Sequence, residues 1–116
     1  MELEAAEGYA ELELWREAWQ TLDRMDPIEK GQPEALRLRL RCCGPLGAWT
    51  IGEHVANILR DGDKDDRQAA ARFFLDHARA HPGHGSGSLA AAVETWPPAL
   101  REINADPELA AIAGKH

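Results

Sequence analysis

The interval that separates Trp15 from Trp49 also carries Leu12 onto Leu46 and Ala18 onto Gly52. This period, about 34 residues, is the length of a helix-turn-helix unit in stacked helical repeats. In register, the first copy reads Ala6, Tyr9, Leu12, Glu13, Trp15, Ala18, Leu22, Met25, and the second Leu40, Cys43, Leu46, Gly47, Trp49, Gly52, Ala56, Leu59. Each runs from an apolar helix through a short turn to an aromatic residue, then a small residue three positions on, then more apolar positions at helical spacing. The small residue lets two helices approach closely while the aromatic ring fills the space beside the turn. Unrelated amphipathic hairpins also show helical periodicity. Coincident turns, tryptophans and small residues together favour a true repeat.

The remaining residues sort around this period. Residues 2 to 12 place Leu3, Ala6, Tyr9 and Ala10 on one helical face, with Glu2, Glu4 and Glu7 at the positive end of the dipole. Residues 15 to 25 form the partner helix, which Asp26-Pro27 ends because the residue before proline is pushed out of the helical region. Gly31-Gln32-Pro33 is a connector. A third helix over 33 to 43, with Leu36, Leu40 and Cys43 inward, stops at Gly44-Pro45, and a fourth spans 48 to 60. The aspartate-rich run 61 to 66 is a loop before a fifth helix at 65 to 80, where Phe74 and Ala78 still echo Leu40 and Gly44. After Ala80 the period breaks in the loop-like stretch 81 to 88, and shorter helices follow from Leu89, from Pro98 and from the Asp106-Pro107 cap pair.

Composition narrows the class. With 116 residues the chain is one domain, room for two or three such units and a cap. A net charge of −7 argues against nucleic acid or anionic membrane as partner. The two cysteines are the adjacent pair Cys42-Cys43, which cannot staple distant segments, so a reduced, cytoplasmic setting is expected. The acidic opening Met-Glu-Leu-Glu is unlike a targeting leader, and no apolar run is long enough for a membrane span.

Gly47-Ala48-Trp49-Thr50-Ile51-Gly52 resembles the Gly-x-aromatic-x-x-small turn of the tetratricopeptide repeat family, and Leu14-Trp15-Arg16-Glu17-Ala18 resembles its aromatic-x-x-Ala counterpart. The resemblance implies an all-α fold, a right-handed α-solenoid of antiparallel helix pairs with about six or seven helices. Its repeats would be residues 2–27, 33–60 and a degenerate third unit with a cap at 65–114. Three departures stand out: Glu13 occupies the usual turn-glycine position, Asp26-Pro27 arrives early, and the third unit is interrupted. Members of the family are non-enzymatic scaffolds that bind a peptide or protein along a concave face made by the first helix of each pair. Carried over position by position, that groove comprises Leu3, Glu7, Ala10 and Glu11, then Arg37, Arg41 and Gly44, then Gln68, Ala71, Leu75 and Arg79. Arg37 and Arg41, four apart, share a helix face and suit a carboxylate, although the asparagine pair of carboxylate-clamping members is missing. A solvated face, or pairing with Glu7 and Glu11, is the plainer alternative.

Other constellations are weaker. His77, His81 and His84 have spacings that can present imidazoles to one metal, which makes a small metal-binding or metal-sensing protein the alternative function. Pro82 argues that the helix ends before His77 and His81 can stack, and His81 also suits a helix terminus. Asp61, Asp63 and Asp65 alternate as in a calcium loop, but Asp66 and Arg72 occupy the positions that need glycine and glutamate. Cys43 reads as core and Cys42 as partly exposed. No phosphate-binding loop and no catalytic constellation of determined geometry occurs, so neither a cofactor nor catalysis is expected. Trp19 and Trp96 are candidate exposed anchors, and self-association through an incompletely capped end is a further option.

Overall fold

The computed structural model describes residues 2–114, and every regular element among them is helical. Among the described residues the helices follow in this order: α1 (Glu2–Glu11), α2 (Trp15–Asp23), α3 (Pro27–Lys30), α4 (Pro33–Leu46), α5 (Trp49–Leu59), α6 (Lys64–Ala80), α7 (Gly85–Thr95), α8 (Ala99–Ala105) and α9 (Pro107–Ala113), with a 3₁₀ turn at Pro82–His84. The chain divides into two compact units at Val55 and Ala56.

In the first unit α2 folds back on α1, and α4 packs on both. The seam is built from small side chains: Ala6 and Ala10 of α1 and Ala18 of α2 are buried, with Leu22, Met25, Ala35, Leu38 and Cys42 completing the core. Alanine at contact positions brings helix axes together, and burial of a side chain such as Leu22 contributes about 2 kcal/mol. Trp15, Trp19, Leu3 and Leu46 pack around the edge. Cys42 is fully buried, not partly exposed as expected, because Ala35, Leu38 and Cys42 form the α4 face that meets the hairpin.

Helix ends depart from expectation at two places. α2 stops at Asp23, where the Arg24 N–H is shared between the Gln20 and Thr21 carbonyls at 3.2 Å each. Asp26, extended as a residue before proline should be, then caps a new turn by accepting the Ile28 N–H at 2.8 Å. Asp26-Pro27 therefore starts a helix. Pro45, in turn, lies inside the last turn of α4. What stops α4 is Gly47 in the left-handed region, and Pro45 removes only the one bond that its N–H would have donated to the Arg41 carbonyl.

In the second unit α7 packs along α6, α9 lies against both, and α8 contacts α7 and α9. α6 opens on a capping box in which Asp63 accepts the Asp66 N–H at 3.0 Å and Asp66 accepts the Asp63 N–H at 3.3 Å. The stretch 81 to 88, expected as a loop, is a 3₁₀ turn followed by the start of α7. Gly85 explains the difference: a Cβ there would stand 2.6 Å from Ile112 Cγ2 and 3.4 Å from the Ala78 Cβ. The glycine serves a close three-helix contact, so its weak helix propensity is overridden.

Candidate functional site

Two turns carry the repeat interval in their backbone. After α1, Glu13 adopts φ 60°, the Leu14 N–H donates to the Tyr9 carbonyl at 2.9 Å and the Glu13 N–H to the Ala10 carbonyl at 2.9 Å. After α4, Gly47 adopts φ 70°, the Ala48 N–H donates to the Cys43 carbonyl at 2.8 Å and the Gly47 N–H to the Gly44 carbonyl at 3.0 Å. Both are Schellman closures with the left-handed residue in the same place. Each delivers the chain into a helix that begins with tryptophan. Beside the second turn, Trp49 lies against the open face of Gly44, its ring 3.6 Å from where a Cβ would be.

The third turn is different. α6 ends at Ala80, one repeat interval beyond the end of α4 at Leu46, but His81 has φ −131° and Pro82 follows. The His81 N–H donates to the His77 carbonyl at 2.9 Å, and its ring Nδ1–H donates to the same oxygen at 3.2 Å. His81 is thus a helix-terminus histidine. Its ring stacks on His77 with centroids 4.6 Å apart, contrary to the expectation that Pro82 would keep the two from meeting. His77 Nδ1 shares a 2.7 Å hydrogen bond with Ser88 Oγ, tying α6 to α7. His84 is exposed in the 3₁₀ turn. Among the described residues no three His, Cys, Asp or Glu side chains are grouped to hold a metal.

The residues assigned to a groove fall in both units. In the first, Glu7 and Glu11 are exposed on α1, Leu3 is half-buried and Ala10 is buried. α1 packs on α4, which carries half-buried Arg37 and Gly44 and exposed Arg41. The Arg41 guanidinium lies 6.0 Å from the centre of the Trp15 ring, and it forms no ion pair with Glu7 or Glu11. In the second unit Gln68 is exposed, whereas Ala71 and Leu75 are buried. Arg79 reaches Asp76 at 3.0 Å and Asp106 at 2.9 Å, holding the N-cap of α9 to the end of α6. The hydrogen bond from Arg79, aided by two backbone N–H groups, keeps the Asp106 carboxyl below its ordinary range, whereas burial raises that of Asp76.

Arg39 is not singled out by spacing, yet it is held on two sides. Its guanidinium sits 4.6 Å from the centre of the Trp19 ring and 3.1 Å from Asp23. Trp19 and Asp23, four apart on α2, form a ready face for a cation, and that pairing is the available signal. The same stacking recurs in the second unit, with Arg67 at 5.5 Å from Trp96. Both tryptophans considered as exposed anchors are half-buried under arginines. Cys42 and Cys43 are poor nucleophiles: burial raises both thiols, and burial with the neighbouring Cys42 pushes Cys43 to about 11.

No family model matches the chain, and neither a curated protein nor a solved structure is found similar to it. No helix among the described residues is long and apolar enough to cross a membrane.

Proposed function

We propose that this chain is a tetratricopeptide-like interaction module, a right-handed solenoid of helix pairs that binds a peptide or protein on the face formed by α1 and α4. The observation that carries the reading is the recurrence of one left-handed turn, with the same two hydrogen bonds, at Glu13 and Gly47. Packing of α4 on both helices of the preceding hairpin supports it, because a stacked repeat buries its next first helix in that way. So does the end of α6 at the third repeat interval. The 3₁₀ turn and α7 then complete a third pair, with α8 and α9 as its cap.

Binding, not catalysis, is the function this arrangement serves. Arg41 is the exposed cation of α4, with Arg37 one turn away, and together they suit a carboxylate-bearing segment. Capture of partners from the native source by wild-type protein and by an Arg37→Ala/Arg41→Ala variant tests the assignment. Loss of a specific partner in the variant is expected, and unchanged capture removes these arginines from the binding face.

A further inference from the structure

The turn between α1 and α2 exposes large apolar side chains that its counterpart after α4 does not. Tyr9, Leu12 and Leu14 are 38%, 71% and 42% exposed. Their counterparts one repeat interval on are Cys43, which is fully buried, and Leu46 and Ala48, which are half-buried. The three exposed residues are held together by the turn itself. The Leu12 and Leu14 amides both donate to the Tyr9 carbonyl, at 3.1 and 2.9 Å. Glu7, Glu11, Glu13 and Glu17 lie on the same two helices and the turn between them, all exposed and none in an ion pair among the described residues. Residues 2–17 carry six glutamates and a single arginine, Arg16.

We infer that this turn is a docking surface, distinct from Arg37 and Arg41 although it shares Glu7 and Glu11 with the α1–α4 face, for a basic segment of a partner protein that also carries aliphatic anchors. The apolar residues supply the desolvated centre that such contacts need, and the glutamates supply a rim. Charge complementarity selects the occupant. A neutral apolar segment would leave four carboxylates beside its own low-dielectric surface, whereas lysines and arginines flanking the anchors pair with them. A second copy placed turn to turn would bring acid against acid.

The probe is an amphipathic Leu/Lys peptide about 14 residues long, labelled for anisotropy, with a Leu/Glu peptide as control. The wild-type chain should bind the Leu/Lys peptide and not the Leu/Glu one, with amide shift changes centred on residues 7–17 and affinity falling as salt rises. A Leu12→Ser/Leu14→Ser variant should bind about tenfold more weakly. Folding is not at risk, since both side chains are exposed and serine is a favoured N-cap for α2. A Glu7→Gln/Glu11→Gln/Glu17→Gln variant should also weaken binding and lose most of the salt dependence, and Leu100→Ser, at an exposed leucine elsewhere, should leave it unchanged. Equal binding by the serine variant, shifts centred elsewhere, or concentration-dependent dimerisation that buries Leu12 would each overturn the assignment.

Discussion

The chain leaves α1 through Glu13 at φ 60° and leaves α4 through Gly47 at φ 70°, and both turns close with the same pair of backbone hydrogen bonds. Glycine adopts that conformation freely, whereas a residue with a Cβ gives up about 1 kcal/mol or more to enter it. Shared geometry from residues of such different preference shows where the geometry originates. At Glu13 the packing of α2 on α1 imposes it, and the turn residue sets how much stability is lost in complying. Gly85 provides the contrast, since its backbone is ordinary helix and its lack of a side chain serves space.

The largest effect should come from placing a branched side chain at the glycine turn. Gly47→Val forces a β-branched residue into the left-handed region and should cost about 2–3 kcal/mol in chemical denaturation, and an unchanged midpoint would break the equivalence of the turns. Gly85→Ala should cost about 2 kcal/mol for a different reason, because Ile112 Cγ2 must move from a position 2.6 Å from the new methyl. A variant that pairs it with Ile112→Ala should recover part of that particular loss, a recovery that Gly47→Val will not share. Glu13→Gly should raise stability by about 0.5–1 kcal/mol, the gain in the turn outweighing the added freedom of the unfolded chain.

The smallest effect concerns the third turn, which is held by charge in place of a left-handed residue. Asp106 has a folded-state pKa below its ordinary value, so its contribution is present above that ordinary value and is lost as pH falls through the lower one. Asp76 is raised and works in the opposite sense: its contribution is present in acid and lost as pH rises through its folded value. Protection of the α9 amides, taken relative to their intrinsic exchange rate at each pH, should therefore fall below the usual aspartate range, an acid dependence that Asp106→Asn removes and Asp76→Asn retains.

Much of the helical framework is legible in the sequence, because period, caps and prolines are local signals. Asp106-Pro107 caps and opens α9 as read, and the turn at 47 falls where the repeat register puts it. Two of the errors, at Gly85 and at Cys42, share one cause, which is that a distant partner decides a local question. Gly85-Ser86-Gly87-Ser88 reads as loop because the need for a glycine comes from Ile112, far along the chain on α9. Pro45 reads as a stop, but the loss of one N–H donor does not end α4, which runs on to the left-handed Gly47. Cys42 reads as partly exposed, yet α4 buries both it and its neighbour, with Cys42 belonging to the hairpin-facing core. In the candidate groove, exposure of Glu7, Glu11 and Arg41 accords with a surface role. By contrast, the burial of Leu75 and the engagement of Arg79 with Asp106 depend on tertiary placement that no spacing rule contains.

A left-handed glutamate also has a consequence in time. Rotation of the peptide plane between Leu12 and Glu13, which changes φ of Glu13, lets that residue relax toward the conformation it prefers, and the bond from Glu13 to Ala10 breaks as it does so. At Gly47 no such relief exists, since glycine gains nothing by rotating. Excursions of the first hairpin should therefore begin at its tip and spread into α2. The two ends of one repeat interval would then keep different clocks, with the Glu13 amide opening to solvent more often than that of Gly47.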